Sequence, residues 1–192
     1  MKKNKENVLE TILLTFDYVG STKISKNLTF EQTVDFYQIP LNIFTRVIIE
    51  HYGIPWKYIG DQIIVLYNIK KGFLPVADIS FKCAERLIKV SNEIVAPKLE
   101  RGEIEGFCIR VSLDAGKLVP IAIKKGEKII PDVAGVTINR LAKISSVTEP
   151  NQILVGDNYF RLLHNSIQRR FKKSDIKAPN FQDYQLWELF VE

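Results

Sequence analysis

The order of apolar patterns along the 192-residue chain restricts its fold more than any single motif does. An apolar run over 8–16 predicts a buried strand, and apolar residues at helical spacing over 30–51 predict an amphipathic helix. Two short strands, a second helix and an alternating strand are predicted next, at 56–59, 63–67, 77–96 and 107–119. This β-α-β-β-α-β order predicts an α+β fold with a ferredoxin-like sheet.

Further elements are appended to this unit. A third helix is predicted over 132–145, followed by a short strand, a short helix and two closing strands at 152–155, 157–164, 167–171 and 184–191. Pro40 lies inside the first predicted helix, where its missing N–H group favours a kink or a break. Because the sequence contains no repeat and no long linker, residues 1–192 are expected to form one domain.

Composition excludes several classes of protein. Hydrophobic residues make up 46% of the chain and charged residues 26%, which is enough apolar surface to exclude disorder as the default state. The net charge of +5 is compatible with nucleotides, nucleic acid or membrane surfaces and does not choose among them. Cys83 and Cys108 are too few for a disulfide scaffold and are expected to be buried, reduced thiols.

The sequence also lacks the signatures of secretion, of a membrane span and of RNA binding. The sequence has neither a signal peptide nor an apolar span of about 20 residues, so we expect a cytoplasmic protein without a membrane partner. Segment 107–111 lacks the aromatic and basic pattern of an RNA-recognition strand, so no nucleic-acid partner is expected either.

Two aspartates lie at predicted turns. Asp17 ends the first strand and Asp61 caps the hairpin, and neither has a neighbouring Lys or Arg. Because the first strand of a split βαβ sheet is central and lies beside that hairpin, the two carboxylates can converge and bind Mg²⁺ or Mn²⁺. Two unrelated turn aspartates remain an open alternative on spacing alone. After Asp17 the backbone N–H groups of one turn could bind an anion, at Val19, Gly20, Ser21 and Thr22.

Six segments resemble, in the same order, motifs of the class III nucleotidyl cyclases, the adenylate and guanylate cyclase family. Segments 16–22 and 57–61 resemble the family's F-x-D-x-x-G-[FS]-T opening and its K-x-x-G-D hairpin, and segment 109–116 resembles its R-[IV]-[GS]-[IL]-x-x-G strand. The last three resemble D-x-x-G-x-x-[VI]-N, G-Q-I-x-[VL] and V-K-G. In this chain the six segments are 16–22, 57–61, 109–116, 132–139, 151–155 and 176–177, with Asn151 in place of a glycine.

The resemblance implies conversion of a nucleoside triphosphate to a 3′,5′-cyclic nucleotide and pyrophosphate. Asp17 and Asp61, with the carbonyl of Tyr18, would hold two divalent cations, Mg²⁺ or Mn²⁺, for in-line two-metal catalysis. By the same resemblance, Asn139 would orient the ribose. Lys177 would contact the terminal phosphates; without the resemblance, a solvated surface lysine is the alternative.

One position departs from the family pattern. The family's transition-state arginine is replaced by Lys143, which supplies charge without a planar fork, while Arg140 is an alternative substitute. The missing arginine leaves a second class of function open, a catalytically weak regulatory homologue that senses nucleotide.

Base choice in the family depends on two positions, which here are Lys57 and Asp132. A lysine donor and an aspartate acceptor fit the edge of adenine, so the resemblance favours ATP over GTP. The chain also resembles the stand-alone pyrimidine cyclases of bacterial antiphage defence (Pycsar systems), which make cUMP or cCMP. Trp56 and Tyr58 could narrow a base pocket, and ATP and pyrimidine triphosphates both remain open.

The resemblance further implies a head-to-tail homodimer with two shared active sites. The metal-binding aspartates would come from one chain, and the base, ribose and phosphate residues from the other. Asp17 and Asp61 would then act on a nucleotide that is bound by the partner's copy of Lys57.

Overall fold

The computed structural model describes residues 8–68 and 76–191. Within these residues the first four strands are β1 (Leu9–Tyr18), β2 (Ile54–Ile59), β3 (Gln62–Asn68) and β4 (Ile109–Lys125), and the later ones are β5 (Lys128–Ala134), β6 (Gln152–Gly156), β7 (Lys172–Lys173) and β8 (Leu186–Phe190). They form an eight-stranded sheet in the order β2-β3-β1-β4-β6-β8-β7, with β5 paired to the outer part of β4. Strand β1 is antiparallel to both β3 and β4, which is the strand order of the predicted ferredoxin-like unit.

Apolar side chains point to both faces of β1, which explains why helices cover both faces of the sheet. Ile12, Leu14 and Phe16 face a core shared with α2 (Phe30–Glu50) and α3 (Val76–Val90). Leu13 points to the opposite face, where it packs with Leu118 and Leu141. Side chains of a strand alternate between faces, so one strand contributes to both cores. Every residue of β1 from Thr11 to Phe16 is accordingly buried.

The remaining elements extend the sheet and the helical layers. Short helix α1 (Ser21–Ser25) follows β1, while α3 continues through a π-helical turn (Ser91–Val95) into α4 (Ala96–Glu100). The later elements are β5 (Lys128–Ala134), α5 (Val136–Ser145), β6 (Gln152–Gly156), α6 (Asp157–Phe160), α7 (Asn165–Gln168), β7 (Lys172–Lys173) and β8 (Leu186–Phe190).

Three predicted elements differ from the structure. The helix predicted over 132–145 begins only at Val136, because residues up to Ala134 pair with β4 as strand β5. The strand predicted over 167–171 is instead the end of α7 and the turn after it; the His164 side chain accepts from the N–H of Ser166 and begins that helix. The helix predicted over 157–164 is shorter and ends at Phe160.

Pro40 does not break the first long helix. Helix α2 is continuous across 21 residues with Pro40 inside it. Proline removes one hydrogen bond of the helix, but its ring is buried on the face that carries Phe36 and Phe44. Burial of this face and a Thr29–Gln32 capping box outweigh that loss.

The outer part of β4 and β5 form a hairpin with exposed apolar side chains. Its strands pair from Val119 with Ala134 to Lys125 with Lys128. Five large apolar residues of this hairpin are exposed, namely Val119, Ile121, Ile123, Ile129 and Ile130. Exposed apolar surface of this extent commonly marks a contact with another protein surface.

Candidate active site

The two aspartates predicted from the turns lie at the same edge of the sheet. Asp17 is the penultimate residue of β1, and Asp61 is in the turn between β2 and β3. The backbone N–H of Tyr18 donates to Oδ2 of Asp61 at 3.3 Å, which holds that carboxylate against the end of β1. A cavity of about 330 Å³ is lined by both aspartates together with Tyr18, the 20–22 turn and Arg110.

Arg110 pairs directly with Asp17, although no basic residue neighbours Asp17 in sequence. Its Nε donates to Oδ1 at 2.5 Å and its Nη2 to Oδ2 at 3.2 Å. Its Nη1 donates to the carbonyl of Thr148, and the Ser145 hydroxyl donates to Oδ2 of Asp17 at 3.4 Å. The partner of this carboxylate is therefore distant in sequence, and the β1–β4 register places Arg110 opposite Asp17.

Opposing influences act on the Asp17 carboxyl. Burial raises its pKa, Arg110 acts in the lowering direction, and the negative charge of Asp61 raises it further. The net shift is upward. A cation placed between the two carboxylates would relieve both the desolvation and their mutual repulsion.

The donor atoms at this edge suit a hard divalent cation. Carboxylate oxygens of Asp17 and Asp61 and the backbone carbonyl of Tyr18 are the ligand type that Mg²⁺ and Mn²⁺ prefer. Residues 8–68 and 76–191 contain no cluster of three or more His, Cys, Asp or Glu able to hold a metal. Two carboxylates are nevertheless enough for Mg²⁺, which retains waters and takes phosphate oxygens from a substrate.

The turn after β1 offers fewer backbone donors than the sequence predicts. The N–H of Val19 donates to the carbonyl of Cys108 at 2.9 Å, so this group is already used by the sheet. Gly20 has φ = 70°, a left-handed conformation that favours glycine, and its carbonyl accepts from Lys23 and Ile24. Ser21 and Thr22 follow at the start of α1 and line the cavity.

The two residues predicted to read the base form an ion pair. Nζ of Lys57, on β2, lies 2.7 Å from Oδ2 of Asp132, on β5. The Val133 N–H donates to the other carboxylate oxygen, and Lys57 also lies 4.2 Å from the centre of the Trp56 ring. The hydrogen bond from Lys57 lowers the pKa of Asp132 and outweighs the opposing effect of desolvation.

Helix α5 presents two of the predicted residues on an exposed face. Asn139 and Lys143 are one helical turn apart and both are exposed, whereas Leu141 and Ile144 are buried. Arg140 points elsewhere: its Nε donates to Oδ2 of Asp114 at 2.5 Å and its side chain is only 11% exposed. The structure thus engages Arg140 in an internal contact rather than on the Asn139 face.

The predicted site residues are not all at one place in a single chain. Lys177 is exposed beside buried Ala178, in the segment before β8. Within the described part of the chain, the lining of the Asp17–Asp61 cavity includes none of Lys57, Asp132, Asn139, Lys143 or Lys177. Sequence reasoning missed Arg110 and Ser145 as neighbours of Asp17, although Arg110 stands in the segment 109–116 that carries a family motif.

Comparison with known proteins assigns the family. Residues 2–186 match the adenylate and guanylate cyclase catalytic domain, so the chain belongs to this family and is a nucleotidyl cyclase domain. No curated protein matches the chain. Among the helices of residues 8–68 and 76–191, none combines the length and apolar character needed to cross a membrane.

Solved structures share the fold at low sequence identity. The guanylyl cyclase Cya2 is 20% identical with a TM-score of 0.84, covering 97% of this chain and 94% of that chain. The adenylyl cyclase CyaB from P. aeruginosa is 17% identical with a TM-score of 0.83, covering 96% and 95%. The guanylate cyclase domain of RhGC from Catenaria anguillulae, in complex with GTP, is 14% identical with a TM-score of 0.78, covering 96% and 98%. These likenesses concern the fold.

Proposed function

We propose that this chain converts ATP to cyclic AMP and pyrophosphate in a homodimer with two shared active sites. The observation that carries the proposal is the convergence of Asp17 and Asp61 on one cavity at the end of β1. Cyclisation of a nucleoside triphosphate is in-line attack of the ribose 3′-oxygen on the α-phosphorus, so the protein must position both groups and neutralise charge.

Asp17, Asp61 and the Tyr18 carbonyl would hold two divalent cations, Mg²⁺ or Mn²⁺. Bound there, the cations would supply charge neutralisation of the triphosphate and a lowered pKa of the 3′-hydroxyl. Arg110 is beside Asp17 and carries a positive charge into the same cavity. Because Nε, Nη1 and Nη2 of Arg110 already donate to Asp17 and Thr148, the N–H groups of Ser21 and Thr22 would bind the phosphate oxygens.

Lys57 and Asp132 would bind the base. Adenine presents an acceptor at N1 beside a donor at its exocyclic amine, and the Lys57–Asp132 pair offers the matching donor and acceptor. Guanine reverses this order, with O6 as acceptor and N1–H as donor. Because the two groups are close enough for one base edge to bridge them, the pair supports ATP over GTP.

Asn139 and Lys143 would act on the ribose and the α-phosphate from the exposed face of α5. Lys143 supplies a positive charge near the developing negative charge, and Lys177 is exposed and able to meet the terminal phosphates. The Asn139 amide orients the ribose and moves no proton.

A second copy of the chain is required to complete this arrangement. The cavity of one chain holds the metal-binding carboxylates and the 20–22 turn, whereas its lining within residues 8–68 and 76–191 includes none of Lys57, Asp132, Asn139, Lys143 or Lys177. The apolar β4–β5 hairpin offers exposed surface for contact with a second copy.

Two experiments test the function. Incubation with each of ATP, GTP, UTP and CTP and Mn²⁺, followed by mass spectrometry of the product, is expected to give cyclic AMP preferentially. Production of cUMP or cCMP instead would support the pyrimidine cyclase alternative, and no cyclic product would support a regulatory homologue. Mixing Asp17→Ala with Asn139→Ala chains should restore one of the two sites, and no recovery would contradict the shared site.

A further inference from the structure

We propose that Asp114 and Arg140 are positioning residues that fix the orientation of α5 and thereby present Asn139 and Lys143 to the substrate. The inference rests on the proposed function and extends it to two residues buried behind the site. Arg140 does not contact the nucleotide, because its guanidinium is engaged inside the protein.

Asp114 is the centre of a buried polar network. The residue is fully buried on β4, and its Oδ2 accepts from Nε of Arg140 at 2.5 Å. Its Oδ1 accepts from the hydroxyl of Tyr184 and from the N–H of Ala115, both at 2.8 Å. Nη2 of Arg140 donates to the Ala115 carbonyl at 3.2 Å, and the guanidinium carbon lies 4.2 Å from the centre of the Tyr184 ring. Arg140 is therefore held from three directions.

Helix α5 needs such a constraint. It has only 10 residues, and helices of this length derive their stability and orientation from packing. Leu141 packs against Leu13 and Leu118, but apolar contacts are non-directional and tolerate rotation about the helix axis. The planar guanidinium of Arg140 resists that rotation at shorter range than the 3.4 Å bonds of Thr137 and Ser145, because its donors bind acceptors in set directions. Since Asn139 precedes Arg140 directly, a rotation of α5 would displace its amide.

The same carboxylate also locates the C-terminal segment. Tyr184, which donates to Asp114, accepts from the N–H of Asn158 at 2.9 Å. Gly156 passes so close that a Cβ on it would lie 2.4 Å from Oδ1 of Asp114. Tyr184 lies near the end of the connection between β7 and β8, and Lys177 lies in the same connection. The network thus relates the helix of Asn139 to the segment of Lys177.

Stability alone does not explain this pair. Burying a carboxylate and a guanidinium carries a large desolvation cost, and an apolar pair of similar volume is often as stable. A buried ion pair does supply fixed geometry, which an apolar pair would not. The position of the pair, one residue from Asn139 and beneath the exposed face of α5, is where fixed geometry would affect catalysis.

The test uses mixed dimers and the substitution Arg140→Lys, which keeps the positive charge but removes the planar guanidinium. In a mixture of Asp17→Ala and Asn139→Ala chains, the working site takes its α5 from the Asp17→Ala chain. We expect kcat to fall about tenfold or more, with KM within about twofold, when Arg140→Lys is on that chain. On the Asn139→Ala chain, whose α5 serves no working site, the fall should be under about twofold.

Two further measurements distinguish a failure of this inference from a failure of the proposed shared active site. Amide hydrogen exchange across 136–145, which requires no turnover, should be faster in Arg140→Lys. Arg170→Lys is the matched control: Arg170 also pairs with a carboxylate, Glu85 at 2.5 Å, and lies over the Phe81 ring. The inference would be overturned if kcat fell equally whichever of the two chains carried Arg140→Lys, or if amide exchange over α5 were unchanged. An inactive parent mixture would refute the shared site alone, and the exchange result would still decide the role of Arg140.

Discussion

Nζ of Lys57 lies 2.7 Å from Oδ2 of Asp132, which joins two residues 75 positions apart in sequence. Strand β2 carries the lysine and strand β5 the aspartate, and these strands are not neighbours in the sheet. The pair is partly exposed, with 39% of the lysine side chain accessible, so a ligand can reach it. A donor and an acceptor side by side at an accessible position form a ready contact for the edge of a base.

The Lys57–Asp132 pair predicts a pH effect. Lys57 lowers the pKa of Asp132, so the ionised carboxylate contributes to the stability of the fold. This contribution is fully present at pH values above the ordinary aspartate pKa of about 3.9, and it is lost as the pH falls through the lowered pKa. We expect Lys57→Met to raise the pKa of Asp132 toward its ordinary value. An NMR titration of the carboxyl carbon measures this, with Lys128→Met as control; an unmoved pKa would contradict the pairing.

Arg110 predicts a link between stability and metal binding. Arg110→Met leaves Asp17 half-buried and unpaired, which should cost about 1–3 kcal/mol after allowance for partial exposure. Mn²⁺ should then raise the melting temperature more in the variant than in the unmodified chain, because a bound cation replaces the lost charge. Thermal unfolding with and without Mn²⁺ measures both effects. Arg161→Met, which removes an exposed pair with Asp157, is the control, and an equal Mn²⁺ effect in all three proteins would refute the link.

Lys143 predicts a gain of activity on substitution. Lys143→Arg should raise kcat about tenfold, because a planar guanidinium binds two phosphate oxygens at once where an ammonium binds as a point charge. Lys143→Ala should lower kcat by a similar factor. Steady-state rates with the preferred nucleotide measure both changes, and Lys89→Arg, on α3, is the matched control. If Lys143→Ala is as active as the unmodified chain, Lys143 is a surface lysine.

At the start of α5, the close approach of Gly116 and Thr137 leads us to expect that a substitution of Thr137 compensates for one of Gly116. A Cβ on Gly116 would lie 2.3 Å from Oγ1 of Thr137, so Gly116→Ala should destabilise the protein by about 1–3 kcal/mol. Removing the obstructing atoms with Thr137→Ala should recover about 1 kcal/mol or more of that loss in the double variant. Urea denaturation of the four proteins measures the coupling. Additive losses would mean that the helix moves away as a whole.

Local patterns predicted much of the fold correctly. The strand–helix–hairpin–helix–strand order led to the ferredoxin-like sheet, and the central place of β1 brought Asp17 and Asp61 to one edge. Both predictions follow from side-chain periodicity and from the connection rules of split βαβ units. The errors over 132–134 and 167–171 occurred where a short segment took its structure from a distant partner or from a cap.

The sequence alone determined which residues are apolar at which spacing, and through that the elements, their order and the placing of Asp17 and Asp61 at turns. The tertiary structure decided which charges meet. Asp17 with Arg110, Lys57 with Asp132 and Asp114 with Arg140 all join separate elements. Periodicity is a property of neighbours along the chain, whereas an ion pair depends on strand register and helix rotation, which only the packed molecule fixes.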